Sequence, residues 1–184
     1  MGMRIIGIDP GNAVTGFGVV ERHGKLKFIC AGTIRSNGMQ RGPARLAALY
    51  QKLLDVIDQQ APDAMSLERS FVAVNVRSAF TLGEARAAAM LAAAHRALDL
   101  FEYTPTDVKL SIAGYGRADK QQVKAMVRRT LIIDDGIEIA DDASDALAIA
   151  LCHIFRAKIP SPPATKRPSL ARNIRNAAGL QVRT

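Results

Sequence analysis

The stretch Arg4-Ile5-Ile6-Gly7-Ile8-Asp9-Pro10-Gly11 decides how the rest of the chain is read. Its Ile-rich run predicts a buried strand, and the Asp-Pro-Gly that follows is the punctuation of a turn. Working outward, residues 14 to 21 and 25 to 34 form two further strands rich in Ile, Val and Phe, set off by Asp9-Pro10-Gly11-Asn12 and by His23-Gly24. The three predict an antiparallel meander. From Pro43 to about Gln60 the apolar positions Leu46, Leu49, Tyr50, Leu53, Leu54 and Ile57 recur every three or four residues, which predicts an amphipathic helix stopped by Pro62-Asp63. Residues 64 to 68 then read as a short buried strand, and an Ala-rich helix runs from about Arg77 to Leu98. The strand Phe101-Glu102-Tyr103 follows, then a helical face of Val123, Met126, Val127 and Leu131, and a last helix from about Asp142 to Arg156. Strands paired first and then alternating with helices predict an α/β fold, a mixed five-stranded sheet flanked by helices.

Four carboxylates stand out on this scaffold. Asp9 closes the first strand, Glu68 closes Ala64-Met65-Ser66-Leu67, and Asp142 and Asp145 open the last helix. Sites in open α/β sheets lie beyond the carboxyl ends of the strands, so Asp9 and Glu68 converge if their strands run parallel and adjacent. Two acids three residues apart share one helix face and can turn to the same edge. Each has a plain structural alternative. Asp9-Pro10-Gly11 fits a turn with Asp at its first position, and Asp142 and Asp145 fit an N-cap and a dipole-favoured acid. Together the four predict a site for two Mg²⁺ ions, or Mn²⁺ in their place, because carboxylate oxygens suit hard cations. Two such cations about 4 Å apart activate water and neutralise a phosphate under attack, so the pattern points to phosphodiester hydrolysis. Asp141 is a fifth acid, either a cap or an outer partner of the site.

With 184 residues and 48% hydrophobic content, the chain has material for one full core. The expected division is a folded domain over residues 1–157 and a flexible tail over residues 158–184, broken by Pro160, Pro162, Pro163 and Pro168. Of the net charge of +8, six units fall after residue 157, leaving +2 for the domain. Cys30 and Cys152 lack CxxC spacing, as a reducing compartment permits. A cytoplasmic protein is expected, because the chain shows neither a leader nor a run of ~18 apolar residues that would span a membrane. His23, His95 and His153 have no zinc-site spacing and read as surface or packing residues.

Between positions 109 and 129, Lys109, Arg117, Lys120, Lys124, Arg128 and Arg129 face only Asp119 as an acid. Lys120, Lys124 and Arg128 recur at i, i+4 and i+8 with Arg117 one turn earlier, so one helix face is basic. It is either a solvated surface or a set of phosphate contacts. The small residues from Ala85 to Ala94 leave the second helix apolar on more than one side, suited to the intrachain core or to a two-fold interface.

The motifs match in order over about the first 155 residues. They are Gly7-Ile8-Asp9-Pro10-Gly11 with Thr15-Gly16-Phe17-Gly18, Leu67-Glu68-Arg69-Ser70-Phe71 through Asn75, Ser78-Ala79-Phe80, Leu82-Gly83-Glu84-Ala85-Arg86, and Asp142-Ala143-Ser144-Asp145-Ala146-Leu147-Ala148. Together they resemble the RuvC family of bacterial Holliday-junction resolvases. The resemblance implies a ribonuclease-H-like fold and a homodimeric, Mg²⁺-dependent endodeoxyribonuclease. Such an enzyme nicks two opposed strands of a four-way DNA junction symmetrically, in recombination and repair, leaving a 5′-phosphate and a 3′-hydroxyl. It implies the junction-binding and branch-migration proteins RuvA and RuvB as partners. By the same resemblance Asp9, Glu68, Asp142 and Asp145 are the metal ligands, Lys109 and Lys120 approach DNA near the cut, and Phe71 stacks on or wedges into bases at the junction centre. Glu84 stands where the family commonly has Gln, and Ala87 where it has Gly. Rival readings are a related nuclease acting on RNA or hybrids, an actin-like ATP-binding domain, for which 184 residues leave room for only one lobe, and a non-catalytic junction binder.

Overall fold

The computed structural model describes residues 2–35, 42–69 and 75–157. The chain opens with β1 (Met3–Asp9), β2 (Val14–His23) and β3 (Lys25–Arg35), paired antiparallel in sequence. It continues through α1 (Pro43–Gln60), β4 (Ala64–Glu68), α2 (Val76–His95), β5 (Asp99–Tyr103), α3 (Pro105–Ala113), α4 (Lys120–Leu131) and α5 (Asp141–Arg156). β4 lies parallel to β1 and β5 parallel to β4, giving the order β3-β2-β1-β4-β5. This is the mixed five-stranded sheet flanked by helices that the sequence predicts. No helix among the described residues is long and apolar enough to cross a membrane.

Two local outcomes differ from the pattern reading. α3 was not expected. It is held by a capping box in which Thr104 accepts from the Asp107 amide and the Asp107 carboxylate accepts from the Thr104 amide, with Pro105 at the start of the helix. α2 stops at His95, short of Leu98, because Ala97 takes a left-handed conformation (φ 55°) and turns the chain into β5.

Alternation along the strands sends their side chains into two separate cores. On one side Ile6, Ile8, Val19, Met65 and Leu67 pack against Leu49, Leu53, Leu54 and Ile57 of α1 and Ala85, Ala88, Ala89, Ala92 and Ala93 of α2. On the other, Ile5 and Val20 meet α5 from Leu147 to Ile154, together with Val108, Ile112, Val123, Val127 and Leu131. Met126, expected on the apolar side of α4, is exposed. Cys152 is buried and Cys30 half-buried, both as free thiols.

The second core brings α5 unusually near the sheet. A Cβ added to Gly7 would lie 2.0 Å from the Ala146 carbonyl oxygen, and one added to Gly16 would lie 1.9 Å from that of Asp142. Only glycine lets helix backbone rest on strand backbone at such range. Gly16 is the cross-strand partner of Asp9, so the first turn of α5 is set down at the level of Asp9.

Candidate active site

Asp9 is the last residue of β1 and Glu68 the last of β4. The parallel register pairs Ile8 with Leu67, so the next residues, Asp9 and Glu68, leave the sheet side by side. Alternation puts both on the α5 face, together with Gly7 and Ser66. Ser66 Oγ donates to the Ile149 carbonyl at 3.2 Å and ties β4 to α5. Asp142 arrives through its backbone contact with Gly16, and Asp145 follows on the same helix face.

The electrostatics register this convergence. Burial first, then repulsion from Glu68, Asp145 and Asp142 in that order, push the Asp9 carboxyl up to about 7 against the opposing pull of Lys120. Acids separated by more than 130 residues therefore act on one another directly. Among the described residues no three acidic, histidine or cysteine side chains stand close enough to form a ready-made metal cage. The carboxylates are gathered at one edge without being drawn together, as mutual repulsion requires. Lys120 Nζ lies 2.9 Å from Asp145 Oδ2. With Lys109 it joins Glu68, Asp145, Val108 and Val123 in lining a cavity of about 260 Å³.

The N-cap of α5 is Ala140, with no side-chain cap, which removes the capping alternative for both Asp141 and Asp142. Asp141 is bound to α4 instead. Lys124 Nζ donates to Asp141 Oδ1 at 2.8 Å, with Lys120 Nζ 4.0 Å from Oδ2, and the Lys124 hydrogen bond holds the Asp141 carboxyl below its ordinary range.

The basic stripe of α4 is likewise occupied within the chain. Lys124 holds Asp141, and Arg128 donates from Nη1 to the Ile137 carbonyl (3.1 Å) and from Nη2 to the Asp134 carbonyl (2.6 Å), bracing the connection into α5. Lys109 and Lys120 line the cleft, and Arg117 is exposed between α3 and α4. Phe71 and the tail lie outside the described residues. His153 packs against Phe101 and sits 2.8 Å from the Tyr103 hydroxyl, a packing role.

One neighbour of the site had no signal in spacing. Arg86 of α2 donates from Nη1 to the Glu68 carbonyl at 2.6 Å and forms an ion pair with Glu102 of β5. Its position within Leu82-Gly83-Glu84-Ala85-Arg86 gives no hint that it reaches a strand end.

The family model described as crossover junction endodeoxyribonuclease RuvC matches residues 5–153. A protein of that name from Cupriavidus metallidurans is 44% identical over 182 residues, covering 98% of this chain and 97% of that one. Among solved structures, Thermus thermophilus RuvC in complex with a Holliday junction substrate is 31% identical and superposes with a TM-score of 0.77 over 83% of this chain and 93% of that one. The yeast mitochondrial Holliday junction resolvase, 16% identical with a TM-score of 0.61 over 83% of this chain and 78% of that one, shares the fold. The sheet order, the edge that gathers the acids and the near full-length identity agree: this chain belongs to the RuvC family of crossover junction endodeoxyribonucleases.

Proposed function

We propose that the chain resolves four-way DNA junctions by metal-dependent nicking of two opposed strands, with Asp9, Glu68, Asp142 and Asp145 holding the metal. The observation that carries this reading is the meeting of two strand-end acids with the first turn of α5, felt at Asp9 as a carboxyl pushed up to about 7. The donor set fits the cation. It offers only carboxylate oxygens, which hard divalent ions such as Mg²⁺ or Mn²⁺ prefer, and its crowded negative charge is what two such ions would offset. When bound, the ions lower the pKa of water and neutralise charge at the scissile phosphate.

The remaining work falls to the chain itself. Asp9, Glu68, Asp142 and Asp145 would together hold the ions at this edge. Lys120, on the rim beside Asp145, and Lys109 across the cleft present ammonium groups to the phosphates flanking the cut. Arg117 extends that path. Lys124 and Arg128 serve DNA only by giving up their internal partners, so their contribution is mainly to hold α4 against α5. Phe71 is proposed to stack on junction bases.

The homodimer is proposed to form through the outward side of α2. Val76 (73% exposed), Phe80 (71%) and Leu91 (61%) line it with Met90, around Gly83 and Ala87, while Ala85, Ala88, Ala89, Ala92 and Ala93 point into the core. A two-fold axis along this stripe gives one site per strand to be cut. Residues 1–157 form the catalytic domain and 158–184 a basic tail in this reading, and the setting is the bacterial cytoplasm, in concert with RuvA and RuvB. Incubation of an immobile four-way junction with Mg²⁺ or with chelator, both nicks being mapped, tests it. Paired symmetric nicks only with metal are expected, and equal cutting of linear duplex or RNA would contradict it.

A further inference from the structure

We propose that Arg86 is a positioning residue for Glu68, its guanidinium pinning the backbone from which that carboxylate projects. β4 is only five residues long and ends on Glu68, beyond which the Arg69 amide donates to the Tyr103 carbonyl of β5 at 2.8 Å. Arg86 adds a constraint from the helix side. One arm of its guanidinium donates to the Glu68 carbonyl at 2.6 Å, and another pairs with the carboxylate of Glu102. Glu102 stands opposite Leu67 on the neighbouring parallel strand, so the planar fork bridges the carboxyl ends of β4 and β5.

The stem of Arg86 is rooted where α2 is firm, between the buried Ala85 and the buried Ala88 and Ala89. Arg86 and Leu82 also line a narrow gap with Glu68 and with Pro10, the residue after Asp9, so the group sits under the edge that carries both strand-end acids. It approaches from the α2 side, whereas the acids face α5. Arg86 therefore orients a ligand without entering the cleft, and groups in that role are worth 10- to 100-fold in metal affinity or activity, roughly.

The inference rests on Glu68 being a metal ligand, and the test separates the two claims. The full chain carrying Arg86→Gln, Arg86→Lys, Glu102→Gln or Glu68→Gln is measured for junction nicking across a Mg²⁺ series, for junction binding in chelator, and for the rise in melting temperature on adding Mg²⁺. Arg86→Gln is expected to need ~10-fold more Mg²⁺ for half-maximal nicking, with the melting response displaced equally and binding in chelator within about 2-fold of wild type. Arg86→Lys, which keeps the charge but loses the fork, should fall between Arg86→Gln and wild type. Glu68→Gln should fail to nick at any Mg²⁺ concentration. Normal nicking by Glu68→Gln overturns the ligand assignment. Loss of nicking in Glu68→Gln beside wild-type Mg²⁺ dependence in Arg86→Gln overturns the positioning role alone. If Arg86→Gln does not fold, Glu102→Gln decides: a smaller displacement in the same direction supports the role, and wild-type Mg²⁺ dependence overturns it.

Discussion

The two faces of the sheet are packed by opposite means. Under α1, Ile6, Ile8, Val19, Met65 and Leu67 interdigitate with Leu49, Leu53, Leu54 and Ile57, large side chains filling the space between layers, while α2 adds buried alanines at the same core. Under the start of α5 the strands offer Gly7 and Gly16, and the helix comes down until backbone meets backbone. The first arrangement supplies burial, and with it stability; the second supplies position, because a helix resting on bare strand has one place to sit. The four acids belong to the second face, where a shift of an ångström matters most.

The largest expected effect that would break this contrast comes from Gly16→Ala. Its methyl would stand 1.9 Å from the Asp142 carbonyl and must lift the first turn of α5, and misplacement of about 1 Å costs on the order of 100-fold in rate. Single-turnover nicking at saturating Mg²⁺ measures this, and a rate near wild type would show that the close approach is not what aligns the acids. Leu53→Ala on the other face should lose ~2–5 kcal/mol of stability in denaturant titrations, yet the folded fraction should nick at a rate within about 3-fold of wild type.

The pH response sharpens the same contrast. Asp9 has a raised value of about 7 in the fold against 3.8 unfolded, so the folded state holds the extra proton between them. Its contribution to stability is complete below about 3.8 and is lost as pH rises towards 7. In chelator, Asp9→Asn should gain on wild type in melting temperature as pH rises from about 4 to about 7, whereas Leu53→Ala should run parallel to wild type. Parallel curves for both would place Asp9 outside the acidic cluster. Smallest of all, Lys124→Gln frees Asp141 from an exposed ion pair that solvent and salt screen, and should leave nicking within a few-fold of wild type. A much larger loss would mean that Lys124 serves DNA directly.

Much of this was legible in the chain. Ile-rich and Val-rich runs bounded by Asp-Pro-Gly and His-Gly named β1, β2 and β3, and three- and four-residue spacing named α1. Acids at the ends of buried strands marked the edge of interest. α3 escaped because nine residues with two buried apolar positions, Val108 and Ile112, carry too little periodicity, although Thr104-Pro105 and Asp107 spell its cap. The boundary after α2 escaped because an alanine, not a glycine, takes the left-handed turn. Gly7 and Gly16 read as ordinary strand glycines, since what they accommodate lies 130 residues away in sequence or nearly so. The internal partners of Lys124 and Arg128, and the reach of Arg86, likewise depend on how α4 and α2 are set against the sheet, which helix periodicity does not fix.

The proposed chemistry depends on four carboxylates holding divalent cations at one sheet edge. A crystal of the full chain soaked in Mn²⁺, with the metal located by anomalous scattering, tests that most directly. The predicted result is density within about 2.2 Å of carboxylate oxygens from Asp9, Glu68, Asp142 and Asp145. Mn²⁺ found only elsewhere on the molecule, or no peak at this edge at saturating metal, would contradict it.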